Sequence, residues 1–160
     1  AGDVLPLDQS DQLFLNRGDG TFDEATARGG SVFSDPDVAR GLARGDVDND
    51  GAPDLLMTNN AGPAQLLANQ TKDAPWFGLD LRLANGGAAV GGHINAQQVG
   101  RSVHRRAHTD GSFAAAHDPR LVVGLGDKGL LVVDVTWPDG SKLRLAAPPT
   151  DRYLVLRQPE

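Results

Sequence analysis

The densest chemistry in the chain lies in nine residues, Asp46-Val47-Asp48-Asn49-Asp50-Gly51-Ala52-Pro53-Asp54. They fit D-x-D-x-D-G-x-x-D. In that pattern oxygens at positions 1, 3 and 5 converge on a centre, glycine at 6 permits a sharp turn, the carbonyl at 7 points inward, and position 9 closes the shell directly or through water. Asp46, Asp48, Asp50, the Ala52 carbonyl and Asp54 are therefore the expected ligands of a hard cation. An EF-hand would also need a bidentate Glu at position 12, where Met57 stands, and a helix on either side. Carboxylates about 4 Å apart repel by about 4 kcal/mol per pair at an effective dielectric of about 20, a cost that a turn without an ion has no reason to bear. Oxygen donors with no nearby His or Cys favour Ca²⁺ over zinc or copper. A set one acid short of the EF-hand's predicts a dissociation constant of roughly 10⁻⁶ to 10⁻³ M.

Other residue types invite chemistry with less support from their spacing. His104 and His108 are four apart, which in a strand puts them on one face about 13 Å from each other, too far to share a zinc ion. Together with His117 they are expected to be exposed strand histidines. Arg101, Arg105 and Arg106 extend them into a basic strip, a solvated sheet face able to meet an acidic glycan or partner. Ser102, Ser112, Asp110, His108 and His117 supply the types of a hydrolase triad, but no G-x-S-x-G elbow orders them, so no catalytic residue is assigned. Trp76 and Trp137 are expected in the core, the alternative being platforms for sugar rings. Arg-Gly-Asp occurs at Arg17-Gly18-Asp19, inside a turn, and at Arg44-Gly45-Asp46, where Asp46 is already a cation ligand.

The elements that position these residues are foreshadowed by composition. Of 21 acidic residues among 160, only Glu24 and Glu160 are glutamates, and 20 glycines and 10 prolines accompany them. Asp favours turns and caps over helix interiors, so this balance disfavours a helical protein. The net charge is −6, of which −4 sits in the acidic loop. Neither nucleic acid nor an anionic membrane is an expected partner, since both require a basic face. Absence of cysteine excludes disulfides, thiolate zinc sites and a cysteine nucleophile. No apolar run approaches the roughly twenty residues of a membrane helix. The opening Ala1-Gly2-Asp3 reads as a processed or excised start within something longer.

Period-2 alternation predicts an all-β chain. Phe77, Leu79, Leu81 and Leu83 alternate with Asp80 and Arg82 as in a half-buried strand. Val133, Val135 and Trp137, then Pro138-Asp139-Gly140, then Leu143 and Leu145 read as a hairpin. Further strands are expected at residues 88–96, 98–108, 121–123 and 153–156. Gly41-Leu42-Ala43 and Leu55-Leu56-Met57 flank the acidic loop as the two arms of another hairpin. Residues 1–70 form a first unit, the polar stretch 71–75 a linker, and 76–160 a second β unit.

Leu13-Phe14-Leu15-Asn16-Arg17-Gly18-Asp19-Gly20-Thr21-Phe22 and Arg40-Gly41-Leu42-Ala43-Arg44-Gly45, leading into the acidic loop, resemble an FG-GAP (VCBS-type) repeat. His117-Asp118-Pro119-Arg120-Leu121-Val122-Val123-Gly124-Leu125-Gly126 and Val135-Thr136-Trp137-Pro138-Asp139-Gly140 resemble an ASPIC/UnbV domain. That order is similar to the cartilage acidic protein family. The resemblance implies about one propeller blade packed on a C-terminal sandwich-like domain, in a secreted or cell-surface recognition or adhesion module with structural Ca²⁺. It also implies an unknown protein or glycan ligand, and further blades on another chain or a missing segment, because one blade cannot close a ring. Two other readings stand beside it: the resemblance to UnbV-type proteins implies an accessory or enzymatic role in a bacterial natural-product pathway, and Trp76 or Trp137, if exposed, would suit a carbohydrate-binding module.

Overall fold

The computed structural model describes residues 7–71 and 74–159. Among them are twelve strands, two short 3₁₀ turns and no α-helix, the all-β architecture expected of an aspartate- and glycine-rich chain. Lys72 and Asp73 of the expected linker, the first six residues and Glu160 lie outside the described residues.

The N-terminal part opens with a hairpin of β1 (Phe14–Asn16) and β2 (Phe22–Glu24). Its turn is held by Asp19, whose carboxylate accepts the Thr21 N–H at 2.9 Å and the Thr21 hydroxyl at 2.6 Å. Next come β3 (Ala39–Gly45), β4 (Asp54–Asn59) and β5 (Gln65–Leu67), an antiparallel sheet in that order. The acidic loop is the β3–β4 connection, with Gly45 opposite Asp54, so the expected hairpin forms.

The C-terminal part is two facing sheets. In one, β6 (Trp76–Arg82) lies between β9 (Leu121–Gly124), antiparallel to it, and β12 (Tyr153–Arg157), parallel to it. The other contains β7 (His93–Gln98), β8 (Arg101–Arg106), β10 (Leu130–Thr136) and β11 (Lys142–Ala146) in the order β11-β10-β7-β8. Ile94, Ala96, Val133 and Val135 of this sheet, with Trp137 just beyond β10, pack against Phe77, Leu79 and Val123 of the other in one core. Alternation explains which residues go inside. Trp137 is fully buried, and its indole N–H donates to the Arg82 carbonyl at 3.1 Å, which satisfies the one polar atom it brings into the core.

Three expectations need correction. β6 is buried on both faces from Trp76 to Leu81, not half-buried, because its second face is also covered. Gly78 is what lets that cover approach: a Cβ there would stand 2.6 Å from a Tyr153 ring carbon and 2.7 Å from a Trp76 ring carbon. The expected strand at 88–96 starts only at His93, since Gly91 at φ +95 turns the chain before it. The expected strand at 98–108 breaks at Gly100, with φ +71, and ends at Arg106, leaving His108 in a loop.

Leu79 has no solvent exposure in the middle of β6. Leu79→Ala should therefore lower unfolding free energy by about 3 kcal/mol, read from the denaturant midpoint. A loss under about 1 kcal/mol would show that this strand does not sit at the centre of the core.

Candidate metal centre

The acidic loop is built by its own backbone amides. Asp46 directly follows β3 and is only 3% exposed. Its Oδ1 accepts the Asp50 N–H at 3.1 Å and its Oδ2 the Gly51 N–H at 2.9 Å, so the loop wraps around this one carboxylate. Asp48 Oδ1 also receives the Asp50 N–H at 3.3 Å, and Asp50 Oδ1 receives the Ala52 N–H at 2.8 Å. Asn49 takes φ +62, which Asn tolerates better than most residues, and Gly51 takes φ +86.

The result brings one oxygen each from Asp46, Asp48 and Asp50 within 4.8 Å of one another. That spacing suits a shared hard cation, because two oxygens on opposite sides of an ion about 2.4 Å from each stand about 4.8 Å apart. Asp48 and Asp50 are exposed, so the open side faces solvent. Asp54 is placed differently. It is 5% exposed, and its oxygens accept the Val47 N–H and the Asn69 N–H, both at 2.8 Å. It therefore fastens the loop's entry to the segment leaving β5 and stands outside the three-carboxylate group. Ala52 lies half-buried at the turn, its N–H held by Asp50.

The C-terminal sheets close over the loop. The Tyr153 hydroxyl donates to Asp46 Oδ2 at 2.7 Å. Arg120 donates from Nη2 to the Asp46 carbonyl at 2.6 Å, from Nη1 to Asn49 Oδ1 at 2.5 Å, and from Nε to Asp118 Oδ2 at 2.6 Å. Its guanidinium carbon lies 4.4 Å from the Tyr153 ring centre, a cation–π contact. Trp76 meets Tyr153 edge-on with ring centres 5.1 Å apart and covers Gly51 so closely that any Cβ there would overlap its indole. Thus Gly51 serves twice, once for its backbone angle and once for its missing side chain. Burial, then the bond to Asp46, raises the Tyr153 pKa far above its ordinary value, so the hydroxyl stays a donor. For Arg120, burial works against the charge, while Asp118 and Asp46 support it and the net shift is upward.

The same junction absorbs two of the triad-type residues, Ser112 and His117. β3 has β4 on one edge; along the other run residues 112–118. There the Leu42 N–H donates to Ser112 Oγ at 3.0 Å, the Arg44 N–H to His117 Nδ1 at 3.1 Å, and the Asp118 N–H to the Arg44 carbonyl at 2.8 Å. Ser112 and His117 thus satisfy an edge strand's backbone. His117 is accordingly a junction residue, not an exposed strand histidine. His108 reaches it from the loop after β8, ring centres 5.6 Å apart, and is held by the Asp110 carbonyl at 2.7 Å; the triad types Asp110 and Ser102 are exposed. His104 remains on β8 beside His93. Asp118 holds a turn at the start of β9, accepting the Arg120 N–H at 3.0 Å.

Sequence reasoning did not single out Tyr153 or Arg120 as parts of the site. The available signals were slight: Tyr153 is the sole tyrosine, and Arg120 follows Asp118 in Asp-Pro-Arg.

Because there is one tyrosine, phenolate absorbance reads Tyr153 alone. A raised folded pKa means its stabilising contribution is complete below pH of about 10 and is lost as pH climbs above that value. In an alkaline titration the native chain should show no phenolate step near pH 10, the signal appearing only with unfolding. A reversible step near pH 10 in the folded protein would show that the hydroxyl is not held by Asp46.

Comparison with known proteins agrees with this division of labour. The FG-GAP-like repeat family matches residues 4–57, which include β3 and the whole acidic loop. The family described as ASPIC and UnbV matches residues 83–160, which include Arg120 and Tyr153. Human cartilage acidic protein 1 is 30% identical over 144 residues, covering 86% of this chain and 20% of that protein. The chain thus spans about a fifth of the length of this curated relative. The chain carries an FG-GAP-like repeat followed by an ASPIC and UnbV domain and is similar over most of its length to cartilage acidic protein 1.

Proposed function

We propose that this chain is a non-catalytic, extracellular recognition module in which Ca²⁺ bound at Asp46, Asp48 and Asp50 is structural. The observation that carries the reading is the convergence of three carboxylates from a D-x-D-x-D-G loop within 4.8 Å of one another. The donor set is hard oxygen only, which suits Ca²⁺. When bound, the ion would neutralise charge that otherwise repels across the loop, with Asp54 joining through water. Support for extracellular placement is the similarity to cartilage acidic protein 1. Among the described residues no helix is long and apolar enough to cross a membrane.

Two other readings lose support. Sugar stacking by tryptophan needs an exposed indole, but Trp76 is 7% and Trp137 1% exposed. A hydrolytic role would need His117 and Ser112 free, and both are bonded to the backbone of β3. The partner we propose is a protein or glycan met by the assembled surface. Large apolar residues on the N-terminal strands, Phe14, Phe22, Leu56 and Leu66, are 52%, 61%, 42% and 55% exposed. Further blades, from another chain or another segment, would cover them.

Calorimetric titration of decalcified protein should show uptake of one Ca²⁺ per chain, with a dissociation constant of roughly 10⁻⁶ to 10⁻³ M. Asp48→Asn, which removes an exposed carboxylate without touching the packed junction, should weaken uptake at least about tenfold, since about 1.4 kcal/mol of lost ligation suffices for that. No heat at millimolar Ca²⁺ would sink the structural-ion reading.

A further inference from the structure

The acidic loop belongs to the FG-GAP-like repeat, yet the groups that brace it from outside come from the other half of the chain. We propose that the cation site is composite: Tyr153 and Arg120 of the ASPIC and UnbV domain are positioning residues for the loop, so that cation uptake and docking of the two parts are coupled. This rests on the loop being a cation site.

The geometry around Asp46 carries the proposal. A carboxylate offers about four acceptor positions. Two on Oδ2 are filled by the Gly51 N–H at 2.9 Å and the Tyr153 hydroxyl at 2.7 Å. Oδ1 receives only the Asp50 N–H at 3.1 Å and so keeps capacity for a cation. Tyr153 therefore decides which oxygen of the buried ligand is presented, and does so from 107 residues away in the chain. Without its hydroxyl the carboxylate could turn about its side-chain bond, and Oδ2 would compete with Oδ1 for the centre.

Arg120 acts on the backbone and the charge. Its three bonded nitrogens fix the Asp46 carbonyl and the Asn49 side chain to Asp118. Among the described residues it forms an ion pair with Asp118 and with none of the three loop carboxylates. It therefore lies close enough to offset part of their mutual repulsion without taking an oxygen that the cation needs. Trp76 closes the third side over Gly51, where nothing larger than hydrogen fits.

Reciprocity then follows from linkage. If docking of Tyr153, Arg120 and Trp76 favours the ligating shape, a cation that favours the same shape must favour docking by the same factor. The readout lies where the docked residues join the sheet, in β12 and its parallel partner β6, where the Gly78 N–H donates to the Arg152 carbonyl at 3.2 Å.

The test uses the full chain and Ca²⁺ alone. Tyr153→Phe, which removes one oxygen, should bind Ca²⁺ at least about fivefold more weakly than the native protein by calorimetry. In the native protein, amide hydrogen exchange over residues 76–82 and 151–157 should slow when Ca²⁺ is added, by up to about a hundredfold at one hundred times the dissociation constant. In Asp48→Asn, whose C-terminal sheets are untouched, that slowing should fall to about tenfold or less at the same Ca²⁺ concentration. The exchange comparison retains Tyr153, so it stands even if Tyr153→Phe does not fold. Native binding with unchanged affinity in Tyr153→Phe, or native binding with no slowing in β6 and β12, would overturn the coupling while leaving the loop a cation site. No Ca²⁺ uptake by the native protein would overturn both.

Discussion

A charged carboxylate out of contact with water is costly unless donors surround it, and Asp46 is such a group. Its three donors come from Asp50, Gly51 and Tyr153, two from its own loop and one from the far end of the chain. The loop curls around Asp46, which gathers its amides, and the same carboxylate accepts the phenol of the last strand, which is otherwise held by its pairing with β6. Placing Asp46 at the exit of β3 thus links a short hairpin to a two-sheet core. A three-stranded sheet with exposed apolar side chains has little to hold it alone, so the link is also a source of stability for the N-terminal part.

The packing around that link depends on two absent side chains. Gly51 lets the Trp76 indole cover the loop, and Gly78 lets Tyr153 and Trp76 meet over β6. Both aromatic rings are thereby fixed by shape before any hydrogen bond is counted. The edge of β3 is treated in a comparable way. Its free amides at Leu42 and Arg44 go to Ser112 and His117 side chains, so no open strand edge remains along that stretch. Ser112 and His117, whose types suggest catalysis, are thus engaged in joining two β units.

Much of this was legible in the sequence where the relevant physics is local. The D-x-D-x-D-G spacing located the loop because the placing of its carboxylates is set by a few consecutive backbone angles. The Asp-Gly turns and the β10–β11 hairpin around Asp139-Gly140 follow from turn chemistry, and the alternation at Val133, Val135 and Trp137 follows from the strand period. What escaped was long-range. No pattern in Tyr153-Leu154-Val155-Leu156 says that the strand runs parallel to β6, or that the phenol reaches a loop more than one hundred residues earlier. Asp54 fits the ligand spacing, and only the position of Asn69 reveals that it holds two backbone amides. His117 reads as an ordinary strand residue until its partner, the Arg44 amide, is placed beside it.

The account stands on a cation held at Asp46, Asp48 and Asp50 while Tyr153 keeps its bond to Asp46. A crystal structure of the chain grown in millimolar Ca²⁺, with the ion located by its anomalous scattering, tests this most directly. The account predicts one ion at about 2.3–2.6 Å from an oxygen of each of those aspartates, with the Tyr153 hydroxyl still on Asp46 Oδ2. An ion bound elsewhere, or an empty loop with the tyrosine in place under the same conditions, would contradict it.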